Sequence, residues 1–355
     1  MGVVPGFFLR GVPRSHVLTI THFRKVPVSQ SAAVRPEPNL QRKAAIAQAG
    51  AVEHSGEVTV VPIPGFDLDR TIFQTLEGAA ARYVITKRIA KEVRWPDGAA
   101  RRVQAAYDAV SAMGAPPEVS PELLAFLVAE CNFDVEHADG SFLDHLYFCF
   151  EYGFRHYPER SPLVLLLHSI LGTGTNTFAM DRAKIPALRG LVTPFEWTHI
   201  EAFPSVLRLL YAGDLRRELR RNLNRPDALR ALHLTRVIDN APIELGAADI
   251  WIALNYQLIH LIDFMPAANW ATHLNDTAYI VLRDLFDILT RAGRLEARVA
   301  CPPPRVGPAV GEPLGLGGWL TTRIPVALSE KMASASVRRF SQRIGHDLGY
   351  RAVWG

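Results

Sequence analysis

Cysteine is scarce. Cys131, Cys149 and Cys301 are too few, and odd in number, for a disulfide framework. The apolar surroundings of the first two read as buried free thiols in a reducing compartment. Long apolar runs are also missing. The longest, Leu163–Leu167 with its flanks, falls far short of the roughly 18–20 residues that a bilayer core requires. The N-terminus has arginines but no apolar core or cleavage site of a secretion signal. These absences lead to the expectation of a cytoplasmic protein with no membrane partner. No charge sign dominates either: 39 basic and 35 acidic residues leave +4, a balance that without a local cluster argues against nucleic acid as a partner. Lysine supplies only six of the basic residues, which with the many alanines is the composition of a GC-rich, bacterial genome.

Strand signals are thin. Residues 1–38, with no acidic residue before Glu37, read as an irregular N-terminal arm. Residues 39–118 read as a helical region with one short strand, Glu57–Ile63, weakened by Pro62. Helical spacing covers Asn39–His54, Thr71–Val93 and Asp97–Met113. Asp67, Asp69 and Thr71 spell the DxDxT with which haloacid-dehalogenase-type phosphatases begin, but Pro62, Pro64 and Gly65 break the strand that motif needs, which leaves helix capping. Residues 119–296 are expected to form an all-α domain of helices Pro121–Cys131, Phe142–His156, Pro162–Leu171, Pro194–Ala212, Pro226–Ile238, Ala247–Phe264 and Thr277–Ala292. Thr193 before Pro194 and Gly213 after Ala212 are matching caps. Asp214–Arg236 reads as an arginine-rich amphipathic helix whose leucines face inward; no aromatic residue is interleaved for stacking on bases. Residues 297–355 read as a Gly/Pro-rich loop followed by a basic helix, Ser329–Leu348.

What stands out is the stretch from His137 to Thr177. Phe142, Leu143, Leu146, Tyr147, Phe150 and Phe154 form an apolar stripe with His145 beside it, and His168 lies between Leu167 and Ser169 with almost no polar neighbours. Burying an imidazole with no partner costs a few kcal/mol, so each ring is expected to have a hydrogen-bonded partner, a metal or a ligand. Glu196 and His199 sit three apart on one helix face, and Asp249, Tyr256, His260 and Asp263 follow a helical stripe. Two histidines and a carboxylate suit zinc or non-haem iron. The run Leu171–Thr177, which includes Asn176, could offer N–H groups to an anion but lacks the lysine and strand of a P-loop.

Gly140–Leu146 (GSFLDHL) and Leu167–Thr173 (LHSILGT) together resemble a divergent, largely uncharacterised branch of the HD-domain superfamily, over roughly residues 120–295. The resemblance implies a helical bundle and a metal-dependent phosphohydrolase or, as in a minority branch, a di-iron oxygenase. It matches His145 to the first metal-binding histidine and His168 to the histidine of the HD pair, and Asn255 falls near the place of the last aspartate. Ser169 stands where the pair has aspartate, and a hydroxyl binds a hard divalent ion far less well than a carboxylate. The resulting expectation is an all-α, HD-like enzyme of small-molecule metabolism. Metal ligands (Fe, Mn or Zn) are expected at His137, His145 and His168, acid–base residues at Glu196 and His199, and a substrate pocket at Ser169, Asn176, Asn255 and Tyr256. The alternative is a metal-free HD-like protein that binds a ligand or partner.

Overall fold

The computed structural model describes residues 58–60, 93–95, 117–130, 136–137, 140–172, 180–267, 277–299, 316, 320 and 323–355. Strands β1 (Val58–Val60) and β2 (Val93–Trp95) pair antiparallel, as do β3 (Glu136–His137) and β4 (Gly140–Ser141), with helix α1 (Pro121–Glu130) between the two pairs in sequence. Then follow α2 (Phe142–His156), α3 (Leu163–Leu166), α4 (Ile185–Gly190), α5 (Pro194–Ala212) and α6 (Asp214–Arg221). A hairpin of β5 (Leu229–Thr235) and β6 (Pro242–Gly246) leads into α7 (Ala247–Ala267), α8 (Thr277–Arg291), α9 (Val326–Ile344) and β7 (Arg351–Trp354). Expected helices Asn39–His54 and Asp97–Met113 and the Asp67–Thr71 motif lie outside the described residues, as does all of Thr71–Val93 except Val93, which opens β2. Among the described residues no helix is long and apolar enough to cross a membrane.

The axis of the helical part is α7. Every residue from Ile250 to Ile262 is buried, so this helix is enclosed on all sides, and it packs against α2, α5 and α8. Leu254, Leu258, Ile259 and Leu261 share one core cluster with Val206 and Leu210 of α5 and with Leu282, Leu285 and Leu289 of α8. A second cluster joins Leu123 and Leu127 of α1, Leu146 and Phe150 of α2, Leu166 of α3 and Trp197 of α5. Gly153 of α2 lets α3 come close: a Cβ there would overlap Leu165 Cδ1.

Helix α5 follows its sequence signals. Thr193 Oγ1 accepts from Glu196 N while the Glu196 carboxylate accepts from Thr193 N, a capping box, with Pro194 in the first turn. At its end Gly213 takes φ 83°, a left-handed cap that a side chain resists, and its N–H bonds the carbonyls of Leu209 and Leu210.

The described residues are mostly helical, as expected, with a small three-stranded antiparallel sheet of order β6-β5-β7 among them. Three helix expectations are corrected. The arginine-rich helix stops at Arg221, and the expected helix Pro226–Ile238 is strand β5 and the turn that follows it. In β5, Leu232 and Leu234 point inward, matched across β6 by Leu245 and Ile243, the period-2 burial of a strand. The third helix, expected to run over Pro162–Leu171, ends after one turn. Leu167 leaves helical geometry at φ −102°, ψ 3°, and Gly172 takes φ 124°. The last helix is also shifted, to Val326–Ile344, where Gly345 at φ 72° caps it.

Two arginines of α6 reach to neighbouring helices, while Arg217 and Arg221 are exposed. Arg216 donates to Leu210 O at 2.8 Å and to Glu330 at 3.0 Å and pairs with Asp284, while Arg220 pairs with Asp284 and Asp287. They tie α6 to α8 and α9.

Candidate functional site

Four segments bring polar side chains to one place. The turn after α2 supplies Tyr157, Arg160 and Ser161, the start of α5 supplies Glu196 and His199, α7 supplies Asp249 and Tyr256, and the segment after α8 supplies Glu296.

His199 is 1% exposed, with the rings of Phe195 and Tyr256 edge-on at 4.6 and 5.6 Å between centroids. Among the described residues its Nδ1 has no hydrogen-bond partner, and its Nε2 lies 3.4 Å from Asp249 Oδ1 without an aligned hydrogen bond. Burial pushes its pKa down to about 4, opposed by the Asp249 carboxylate and reinforced by the Arg160 charge. The ring is therefore neutral at pH 7. Facing a carboxylate, a neutral imidazole places its hydrogen on Nε2 and its lone pair on Nδ1. The Asp249 and Arg160 side chains are 37% and 34% exposed, so the group reaches solvent on their side.

Arg160 Nη2 is 3.5 Å from Glu296 Oε2, an oxygen that also accepts the Tyr157 hydroxyl at 2.6 Å. The Arg160 Nε is buried and, among the described residues, has no hydrogen-bond partner. Burial raises the pKa of Tyr157, with the Glu296 hydrogen bond adding to it, and burial likewise raises that of Tyr256; both remain O–H donors. Tyr256 donates to Ser161 O at 2.8 Å.

Glu196 is engaged in building this group. Its Oε1 accepts from Ser161 Oγ at 2.6 Å and its Oε2 from the N–H and Oγ1 of Thr193, both at 2.8 Å. The carboxylate expected to act as acid or base thus holds the start of α5 against the turn that carries Arg160. Asn255 is spent as well. Its Nδ2 donates to Trp251 O and Arg294 O, and its Oδ1 accepts from the N–H of Glu296 and Ala297, all at 2.9 Å. With two donors and two acceptor sites used, it fixes the backbone of Glu296.

The other expected residues lie elsewhere. His168 is 1% exposed and donates from Nδ1 to Leu165 O at 2.6 Å. Its ring lies 4.5 Å from that of His260 and 4.9 Å from that of Phe203. Ser169 is buried next to it. His137 is in β3 opposite Gly140, and His145 is in α2, but their side chains lie outside the described residues, as does the whole of Asn176. Among the described residues no three His, Cys, Asp or Glu side chains gather where they could hold a metal ion. The expected Glu196, His199 and Tyr256 do come together. Arg160, Tyr157 and Glu296 escaped the sequence reading because loop residues carry no periodicity; the polar turn Pro158-Glu159-Arg160-Ser161 between two apolar helices was their only signal.

No protein-family profile, curated protein or solved structure matches this chain.

Proposed function

We propose that the protein is an enzyme of small-molecule metabolism that works by proton transfer at His199. The observation that carries this reading is the pairing of a buried, neutral imidazole with the partly exposed carboxylate of Asp249 at 3.4 Å. Asp249 holds the ring with Nδ1 as the basic nitrogen, and Nδ1 takes a proton from the substrate or from a water attacking it. The imidazolium so formed is stabilised by Asp249 and returns the proton to the departing atom. A group in that role contributes a factor of about 10²–10⁴ to rate. Tyr157 and Tyr256 are protonated at every pH of interest, and Tyr256 encloses the ring.

In this reading the HD-like resemblance describes the helical setting, and the metal site of that superfamily has been given up. Ser169 replaces the aspartate, and among the described residues His168 has an aromatic neighbourhood and no gathered carboxylates. No step in this reading is routed through a metal ion; the side chains of the other two expected ligands, His137 and His145, lie outside the described residues.

The test is an untargeted turnover assay. Wild-type protein and His199→Gln are each incubated with a metabolite extract, with and without a chelator, and masses are followed over time. A compound consumed by the wild type, spared by the variant and indifferent to the chelator is the expected result. Conversion that survives in His199→Gln, or no conversion at all, overturns the reading. Loss of conversion on chelation restores the metal-dependent alternative.

A further inference from the structure

The proton-transfer reading leaves Arg160 without a task. Its guanidinium lies beside the Tyr157 hydroxyl and 3.5 Å from Glu296, with both side chains of that ion pair over a third exposed, a pair worth little in water. Among the described residues its buried Nε has no hydrogen-bond partner, so the guanidinium's capacity for planar, two-pronged contact is not used up. The turn that carries it is held from two sides: Tyr256 bonds Ser161 O, and Glu196 bonds Ser161 Oγ. Glu296 is held in turn by Asn255 through its own backbone N–H. A surface ion pair needs no such support.

We infer that Arg160 is the docking point for an oxyanion of the substrate, a carboxylate or a phosphate, which takes the place of Glu296 on the guanidinium and brings the rest of the molecule against Nδ1 of His199. Planar, two-pronged contact is how arginine recognises such groups. Glu296 keeps the Tyr157 hydroxyl when displaced, so it is not left bare. Docking would also ready the base. The Arg160 charge is one of the causes that hold His199 below its ordinary pKa; an anion on Arg160 cancels that repulsion, and the ring becomes a better proton acceptor as substrate arrives. Around His199 the other charged or titratable groups are Asp249 and Tyr256 on α7, Glu196 on α5, Tyr157 on the turn and Glu296 after α8.

This inference rests on the proton-transfer reading for its purpose, yet its test does not need turnover. The full chain, labelled at histidine ¹³Cε1, is titrated with inorganic phosphate, with malonate, and with sodium chloride at matched ionic strength. The His199 signal is assigned by its loss in His199→Gln. Expected is a saturable shift with phosphate or with malonate, the one that binds identifying the group, and none with chloride. Arg160→Gln weakens that binding by roughly tenfold or more, as expected for one charge-assisted pair, and Arg160→Lys, which keeps the charge and loses the fork, falls between. Circular dichroism confirms that each variant is folded. A response identical to chloride, or Arg160→Gln binding as tightly as the wild type, overturns the inference. If the anion binds and no His199-dependent turnover exists, the site is a receptor for the anion and only the catalytic reading falls.

Discussion

His168 and His199 are both 1% exposed on the helical core, and they could hardly be treated more differently. His168 is settled: its Nδ1–H reaches Leu165 O within its own turn, and Phe203 and His260 pack its faces and edge. His199 is buried without such provision, with no partner at Nδ1 among the described residues and an unaligned carboxylate 3.4 Å from Nε2. A buried polar atom left unbonded costs about 1–3 kcal/mol. Strain of that kind concentrates where chemistry is done. Burial alone therefore does not separate the two rings; their hydrogen bonds do, and the proposed role of His199 rests on that difference together with the neighbouring Asp249 carboxylate.

That contrast can be broken by exchange of side chains. The largest effect is expected in turnover: His199→Gln should lower the rate by about 10²–10⁴-fold, read with any substrate found in the extract assay, while leaving the urea midpoint nearly unchanged or raised. His168→Ala should do the reverse. It opens a cavity and strands Leu165 O, at a cost of about 2–4 kcal/mol in urea unfolding, with the His199 signal in place. Equal stability losses at the two positions would erase the distinction.

Asn255→Ala should cost about 2–3 kcal/mol and in addition loosen the backbone of Glu296, measurable as faster amide exchange at Glu296 and Ala297. If exchange there stays slow, Asn255 is not the anchor described above.

Acid sharpens the comparison further. Burial holds His156, His199 and His346 each at about 4 in the folded protein, below the 6.5 of an open chain. Between those values the unfolded chain binds protons that the folded one refuses, so stability is full above pH 6.5 and declines as pH falls toward 4. The slope approaches about 1.4 kcal/mol per pH unit for each histidine. His199→Gln should remove one share of that slope; an unaltered slope would show that His199 is not held neutral. Smallest of all, Arg338→Ala, which breaks an exposed pair with Asp214 on α6, should change stability by less than about 1 kcal/mol.

How much of this was legible in the sequence follows from what each feature depends on. Helix α5 could be read to the residue because its signals are local: Thr193, Pro194 and Glu196 open it and Gly213 closes it. The long amphipathic helices α2 and α8 announced themselves by periodicity. β5 did not, because Leu229 and Leu232 are spaced three apart as in a helix and Arg230 between them suits a helix surface. Its strand character comes from partners outside it, Leu245 across the hairpin and Ala352 far along the chain. The neighbouring cue was there, Asp239-Asn240 followed by alternating Ile243 and Leu245. At the site, Glu196, His199 and Tyr256 were found as polar residues on apolar helices. Whether each was working or supporting depended on tertiary hydrogen bonds that no spacing encodes: Asn255 had the look of a ligand and proved to be an anchor.

The sheet carries one consequence for how the protein is made. β5 pairs on one side with β6, a few residues on, and on the other with β7, where His233 faces Arg351. During synthesis the first pairing forms early, and the second edge of β5 stays open until residues 351–354 have left the ribosome. Throughout that interval a nascent chain shows an unpaired strand edge, the feature most prone to capture a neighbour on the same polysome. Production of this protein should therefore depend on chaperones more than a mostly helical fold would suggest.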